Sequence, residues 1–106
     1  MTVSFWMLAW HYVADFHLQS TWMAENKWRG GKALLVHVAV YTACWLPLGW
    51  RFAAVTFVTH WLTDWVTSKM THTLAERKAW HWFFCVVGAD QLIHYATLAW
   101  TLERLR

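Results

Sequence analysis

Cysteine is scarce in this 106-residue chain, and the two present, Cys44 and Cys85, lack the spacing of a metal motif and define no disulfide framework. Both read as buried thiols. No Pro-, Gly- or Ser-rich stretch and no shift in composition divides the sequence, which excludes a linker and leaves one domain over residues 1–106. Charge is sparse as well, at 14 % of residues against roughly 25 % in an average soluble domain. The net charge of +3 does not point to nucleic acid, because Lys and Arg cluster in connections rather than along one helical face. No serine-, cysteine- or histidine-based triad has convincing spacing. No basic leader or small-residue cleavage site opens the chain, so its first apolar segment reads as retained.

Apolar residues are plentiful at 58 %, with eleven tryptophans. The mean hydropathy of +0.24 understates this, since tryptophan and histidine score as polar. Four apolar segments, at about 3–23, 33–50, 52–70 and 79–101, approach the length needed for a hydrocarbon core about 30 Å thick. The polar stretch ending in Gly30-Gly31 reads as a reversal, and Pro47-Leu48-Gly49 as the stop of the second segment. The expectation is an all-α, antiparallel four-helix transmembrane bundle in a bacterial inner membrane. Lys27, Arg29, Lys32, Lys69, Arg77 and Lys78 fall on the first and third connections, whereas Arg51, Arg104 and Arg106 lie opposite. That asymmetry predicts non-cytoplasmic termini. Most tryptophans gather toward segment ends as an aromatic belt, while Trp61 and Trp65 are expected to face lipid or another subunit.

Histidine and aspartate carry the chemical signal. Every aspartate lies in an apolar segment with a histidine four residues away, as His11/Asp15, His60/Asp64 and Asp90/His94, while Glu25, Glu76 and Glu103 lie in connections or the tail. Four residues advance an α-helix by about 400°, so each pair projects from one face. His37 adds a fourth imidazole. Charges are costly at bilayer depth unless paired, so these groups should turn inward and converge. His11, Asp15, His37, His60, Asp64, Asp90 and His94 are the expected metal ligands. Four would satisfy one tetrahedral zinc, and the full set would suit two ions with a carboxylate bridge and an open water position. Buried His–Asp hydrogen bonds that specify helix pairing are the alternative.

The stripe on the third helix continues to Thr67 and Thr71. Gln19 and Gln91 are candidates to orient a carboxylate or imidazole. His17 falls off the His11 stripe, His72 and His81 read as interfacial, and Lys69 as a membrane anchor.

The run from His11 through Asp15 and Gln19, the Trp22-Met23-Ala24-Glu25-Asn26-Lys27 segment, His37, His60-x3-Asp64 and Asp90-Gln91-x2-His94 resemble the domain-of-unknown-function 3307 family over nearly the whole chain. That resemblance implies a small multi-span membrane protein of bacteria or their phages, without an established chemistry. A looser similarity links the arrangement to membrane-bound metal-dependent hydrolases.

The leading expectation is therefore a membrane-embedded metal-dependent hydrolase with one or two ions, zinc first, acting on a lipid-linked or amphiphilic substrate. Asp15, Asp64 or Asp90 would serve as general base. The alternatives are a non-enzymatic, metal-stabilised membrane module and an ion or proton pathway.

Overall fold

Serine starts the first two helices. In the computed structural model, which describes residues 4–105, Ser4 caps α1 (Phe5–Tyr12) by accepting a hydrogen bond from the Met7 amide at 3.2 Å. Ser20 caps α2 (Thr21–Asn26) the same way, from the Met23 amide. Between them α1 widens into a π turn, Val13–His17, closed by Leu18 N–H donating to the Val13 carbonyl at 2.9 Å. A 3-10 turn, Lys27–Arg29, leads to Gly30, whose φ of +70° ends it before α3 (Lys32–Ala43). Gly30 also abuts the Trp65 indole, so a side chain there would collide. Pro47 sits in a second 3-10 turn, Leu46–Leu48, followed by α4 (Trp50–Glu76) and α5 (Trp80–Leu105). The short connection at residues 77–79 folds α5 antiparallel onto α4.

That makes five α-helices among the described residues rather than a four-helix transmembrane bundle, and none is long and apolar enough to cross a membrane. The first expected span breaks at residues 18–20, where Ser20 begins a new helix. Val3, its expected start, lies outside the described residues. The second span shrinks to the 12 residues of α3, which rise about 18 Å. The third and fourth coincide with α4 and α5, long enough at 27 and 26 residues, but ionisable and hydroxyl side chains interrupt their apolar runs. The inner-membrane, multi-pass localisation and the orientation of the termini thus have no spans to rest on. Arg106, counted toward that orientation, lies outside the described residues. Trp65, expected to face lipid or another subunit, is exposed, with the Lys69 ammonium 5.0 Å from its ring centroid. Cys85 is exposed rather than buried.

Inward faces follow helical spacing. On α4 the buried residues include Phe52, Thr56, His60, Asp64 and Ser68, one every four positions; on α5 they are Asp90, His94, Leu98 and Thr101. Toward one end of this seam Ala14, Tyr41, Trp45, Phe52 and Leu98 form an apolar core. The polar residues continue the same seam from Tyr41 onward. Trp10 Nε1 donates to the Cys44 carbonyl at 2.6 Å, tying α1 to the end of α3. Lys69 Nζ donates to the Trp28 carbonyl at 2.7 Å, fixing the Lys27–Arg29 turn on α4.

Candidate metal centre

All seven expected ligands are buried, none more than 8 % exposed. Asp15 comes from the π turn, His37 from α3, His60 and Asp64 from α4, and Asp90 and His94 from α5. Four residues, Asp15, His37, His60 and Asp64, each offer an atom to a common point; Asp15, Asp90 and His94 form a second group sharing Asp15. These buried clusters could hold a metal ion.

Asp64 joins the two groups differently. Its Oδ2 lies 3.0 Å from His37 Nε2 and 3.1 Å from His60 Nε2, while its Oδ1 lies 3.0 Å from His94 Nε2. One carboxylate therefore offers an oxygen to each side. Asp15 Oδ1 sits 3.0 Å from His37 Nε2 and 3.5 Å from His60 Nε2. The two imidazole nitrogens themselves are only 3.1 Å apart. Protons on both would repel each other, lone pairs on both would repel the carboxylates, and a single proton shared between them would still leave one lone pair facing those oxygens; a cation among them relieves the conflict. Asp15 Oδ1 and Asp64 Oδ2 are buried without a hydrogen-bond partner of good geometry, as expected of oxygens that serve as ligands. The donor set, imidazole and carboxylate without thiolate, suits a borderline or hard divalent ion.

His11 stands apart. It belongs to neither group, and both ring nitrogens are engaged: Nδ1 with the Tyr41 hydroxyl at 2.6 Å and Nε2 with Gln91 Oε1 at 2.7 Å. The Gln91 nitrogen donates to Asp15 Oδ2 at 3.1 Å and Asp90 Oδ2 at 3.0 Å. Only this amide orientation avoids turning an oxygen toward two carboxylates, so His11 Nε2 carries the proton and its Nδ1 accepts from Tyr41 O–H. Burial, then the Asp15 charge, raises the Tyr41 pKa and keeps that hydroxyl protonated. The relay from Tyr41 through His11 to Gln91 thus holds the outer oxygens of two aspartates. Thr67 Oγ1 donates to Asp90 Oδ1 at 2.6 Å. His60 is positioned by stacking against Tyr41 at 3.9 Å and against His94 at 4.2 Å between centroids.

Without metal the centre is a lattice of ion pairs. Burial disfavours the Asp15 charge, but the His37 hydrogen bond and the positive potential of His60 outweigh it and hold the carboxyl well below its usual range. Asp64 is held down likewise, with His60, His37 and His94 opposing burial. Burial pulls His94 toward neutrality, yet hydrogen bonds to Asp64 and Asp90 raise it to about 10; His37 is raised by Asp15 and Asp64 against the same opposition. Burial prevails at His11 and His60, whose pKa values fall.

A cavity of about 410 Å³ opens beside the centre, with Asp15, Asp90, Gln91, Lys27 and Thr67 in its wall. Lys27 Nζ lies 3.5 Å from Asp64 Oδ2. Thr71, on the expected stripe of α4, also lines the cavity; its hydroxyl donates to the Ser68 carbonyl. Gln19 faces the cavity with its carbonyl oxygen buried and unpartnered, and unlike Gln91 it has no bond to a carboxylate or imidazole. His17 is exposed, His72 stacks on Trp28 and pairs with Glu76, and His81 lies by Cys85. Sequence reasoning passed over Tyr41 and Lys27. Tyr41 follows His37 by four residues and could have been found by extending the same spacing rule, whereas Lys27 is one basic loop residue among several.

No curated protein and no solved structure matches the chain. The family model described as protein of unknown function (DUF3307) matches residues 3–104, almost the whole sequence, and the chain belongs to that family.

Proposed function

We propose that the protein is a metal-dependent hydrolase with a two-ion centre, zinc being the first candidate. The observation that carries the reading is Asp64, which offers Oδ2 to His37 and His60 and Oδ1 to His94, as a carboxylate bridging two ions would. Asp15, His37, His60 and Asp64 would hold one ion, and Asp15, Asp64 and His94 the other, with Asp90 left beside it unliganded. Divalent ions there supply positive charge that acidifies water and polarises the oxygen of a scissile bond.

The chain's own residues supply the rest. Asp90 lines the cavity and is the least buried of the three aspartates, so it is placed to take a proton from an attacking water. The water oxygen bonds to the electrophilic centre, and the ester bond breaks with its electron pair on the leaving oxygen. That oxygen takes the proton Asp90 accepted, so one water is consumed per turnover. Gln91 and Thr67 keep Asp90 oriented, and burial of the centre excludes competing solvent.

Elemental analysis of purified protein, paired with hydrolysis of chromogenic phosphate and carboxylic esters, tests the reading. Metal-loaded wild type should hydrolyse one class, Asp64→Asn should lose metal, and Asp90→Asn should lose activity. Folded protein that takes up no zinc, manganese or iron would leave buried His–Asp hydrogen bonds as the account. Stoichiometric metal without hydrolysis would leave a metal-stabilised, non-enzymatic module.

A further inference from the structure

The cavity wall combines two kinds of side chain. It presents Asp15, Asp90 and Lys27, and beside them the apolar side chains of Phe16, Trp28, Phe83 and Val87. Asp15 Oδ1, in a side chain only 3 % exposed, has only the imidazoles of His37 and His60 beside it, at 3.0 and 3.5 Å. Lys27 is half-buried, and among the described residues no other Lys or Arg lines the cavity. Its ammonium reaches both the cavity and Asp64 Oδ2 at 3.5 Å. The volume of about 410 Å³ falls in the range of small-ligand sites.

We propose that this cavity binds an organophosphate, a phosphate monoester or diester, with the phosphoryl group beside Lys27 and the organic part between Phe16, Trp28 and Phe83. The proposal rests on the metal-centre reading and names its substrate class. Charge decides between phosphoryl and acyl substrates. Three aspartates set against two divalent ions and the Lys27 ammonium leave two positive charges in surplus, with the imidazoles neutral as ligands. A monoester dianion cancels both, and a diester does so together with a hydroxide. A neutral carboxylic ester or amide with the same hydroxide still leaves one charge unmatched in a buried site, where unbalanced charge is most costly. Glu25, on the rim, is exposed and its charge is screened by water. The His72 ring is occupied by Trp28 and its Nε2 by Glu76 at 3.0 Å, which leaves Lys27 as the cation for the phosphoryl oxygens. Two-ion centres suit this chemistry, because they stabilise the attacking and leaving oxygens of a displacement at phosphorus together. The P–O bond to water forms as the P–O bond to the alcohol breaks, giving the alcohol and a phosphate with one ester fewer.

Calorimetric titration of the metal-loaded protein with inorganic phosphate, phenyl phosphate and benzoate tests this. Phenyl phosphate should bind, inorganic phosphate more weakly, and benzoate hardly at all. Lys27→Gln should weaken both phosphates by roughly tenfold to a hundredfold with metal stoichiometry unchanged, and Lys27→Arg should restore most of the loss. Phe83→Ala should weaken phenyl phosphate alone, which keeps the proposal testable even if the Lys27 variants misfold. Benzoate binding as tightly as phenyl phosphate, or phosphate affinity indifferent to Lys27→Gln, would overturn the proposal. Metal-loaded protein that ignores phosphates refutes the substrate class and spares the centre; protein without metal refutes both.

Discussion

Gln91 and Asp15, 76 positions apart, meet through an amide that donates to Asp15 Oδ2 at 3.1 Å, and this contact leaves Asp15 Oδ1 turned into the centre. The same nitrogen reaches Asp90, so one neutral side chain sets the orientation of two carboxylates. Gln91→Ala should therefore lower apparent zinc affinity by roughly ten- to a hundredfold, the usual range for groups that orient ligands. Competition with a chromogenic chelator measures it, with circular dichroism checking that helix content persists. Unchanged affinity would mean the two aspartates need no such support.

Alanine at His60 or Asp64 should reduce bound metal far more than alanine at His17 or His72. The first two are buried in the centre, while His17 is exposed and His72 is engaged by Trp28 and Glu76. Elemental stoichiometry on folded protein decides it; equal losses across the four variants would point to nonspecific uptake.

The pH dependence has a worked sign. His94 is raised from 6.5 to about 10 and His37 is also raised, so in metal-free protein their contribution is full below 6.5 and fades as pH climbs. His11 and His60 are lowered from 6.5, so theirs is present above 6.5 and lost on acidification; Asp15 and Asp64 add a further loss as pH falls below 3.8. Metal-free protein should thus melt highest near pH 6.5. Protons on His37 and His94 compete with metal, so the rise in Tm on adding zinc should be larger at pH 8 than at pH 6. Thermal scans with chelator and with zinc test both signs.

Two backbone positions should respond in opposite directions. Lys78 ends α4 with a φ of +56°, and Ala79 N–H reaches back to the Leu74 carbonyl at 2.9 Å. Lys78→Gly should stabilise by about 0.5–1 kcal/mol, because glycine takes this left-handed cap without a Cβ clash. Gly30→Ala should destabilise by about 1–2 kcal/mol, since φ is already positive and a Cβ would lie 2.8 Å from Trp65 Nε1. Urea denaturation of both variants measures the two shifts.

The site was more legible in the sequence than the architecture was. His60/Asp64 and Asp90/His94 obey helical periodicity over long uninterrupted helices, so spacing alone placed each pair on one face. His11/Asp15 has the same spacing, yet it runs into a π turn that no residue in Val13–His17 announces. The membrane reading came from counting apolar length. It missed Ser20 as a helix start, which cuts the first segment, and placed the stop of the second at Pro47-Leu48-Gly49 although α3 already ends at Ala43. Lys27 was legible only as a loop charge, because its approach to Asp64 depends on the Lys69–Trp28 bond and the tight turn at Gly30.

The wide turn at Val13–His17 makes the N-terminal arm intolerant of a one-residue change in length. A π turn accommodates a surplus residue within an α-helical path, and here the surplus falls between His11, bonded to Tyr41 and Gln91, and the capped start of α2 at Ser20. Deleting Val13 or Ala14 would let α1 continue as an ordinary helix and bring the aspartate to the third position after His11 instead of the fourth, about 100° around the helix. Asp15 would leave the centre while His11 stayed in place. Related chains should therefore keep the number of residues from His11 to Ser20 constant even where the residues themselves vary, and insertions should accumulate outside that interval.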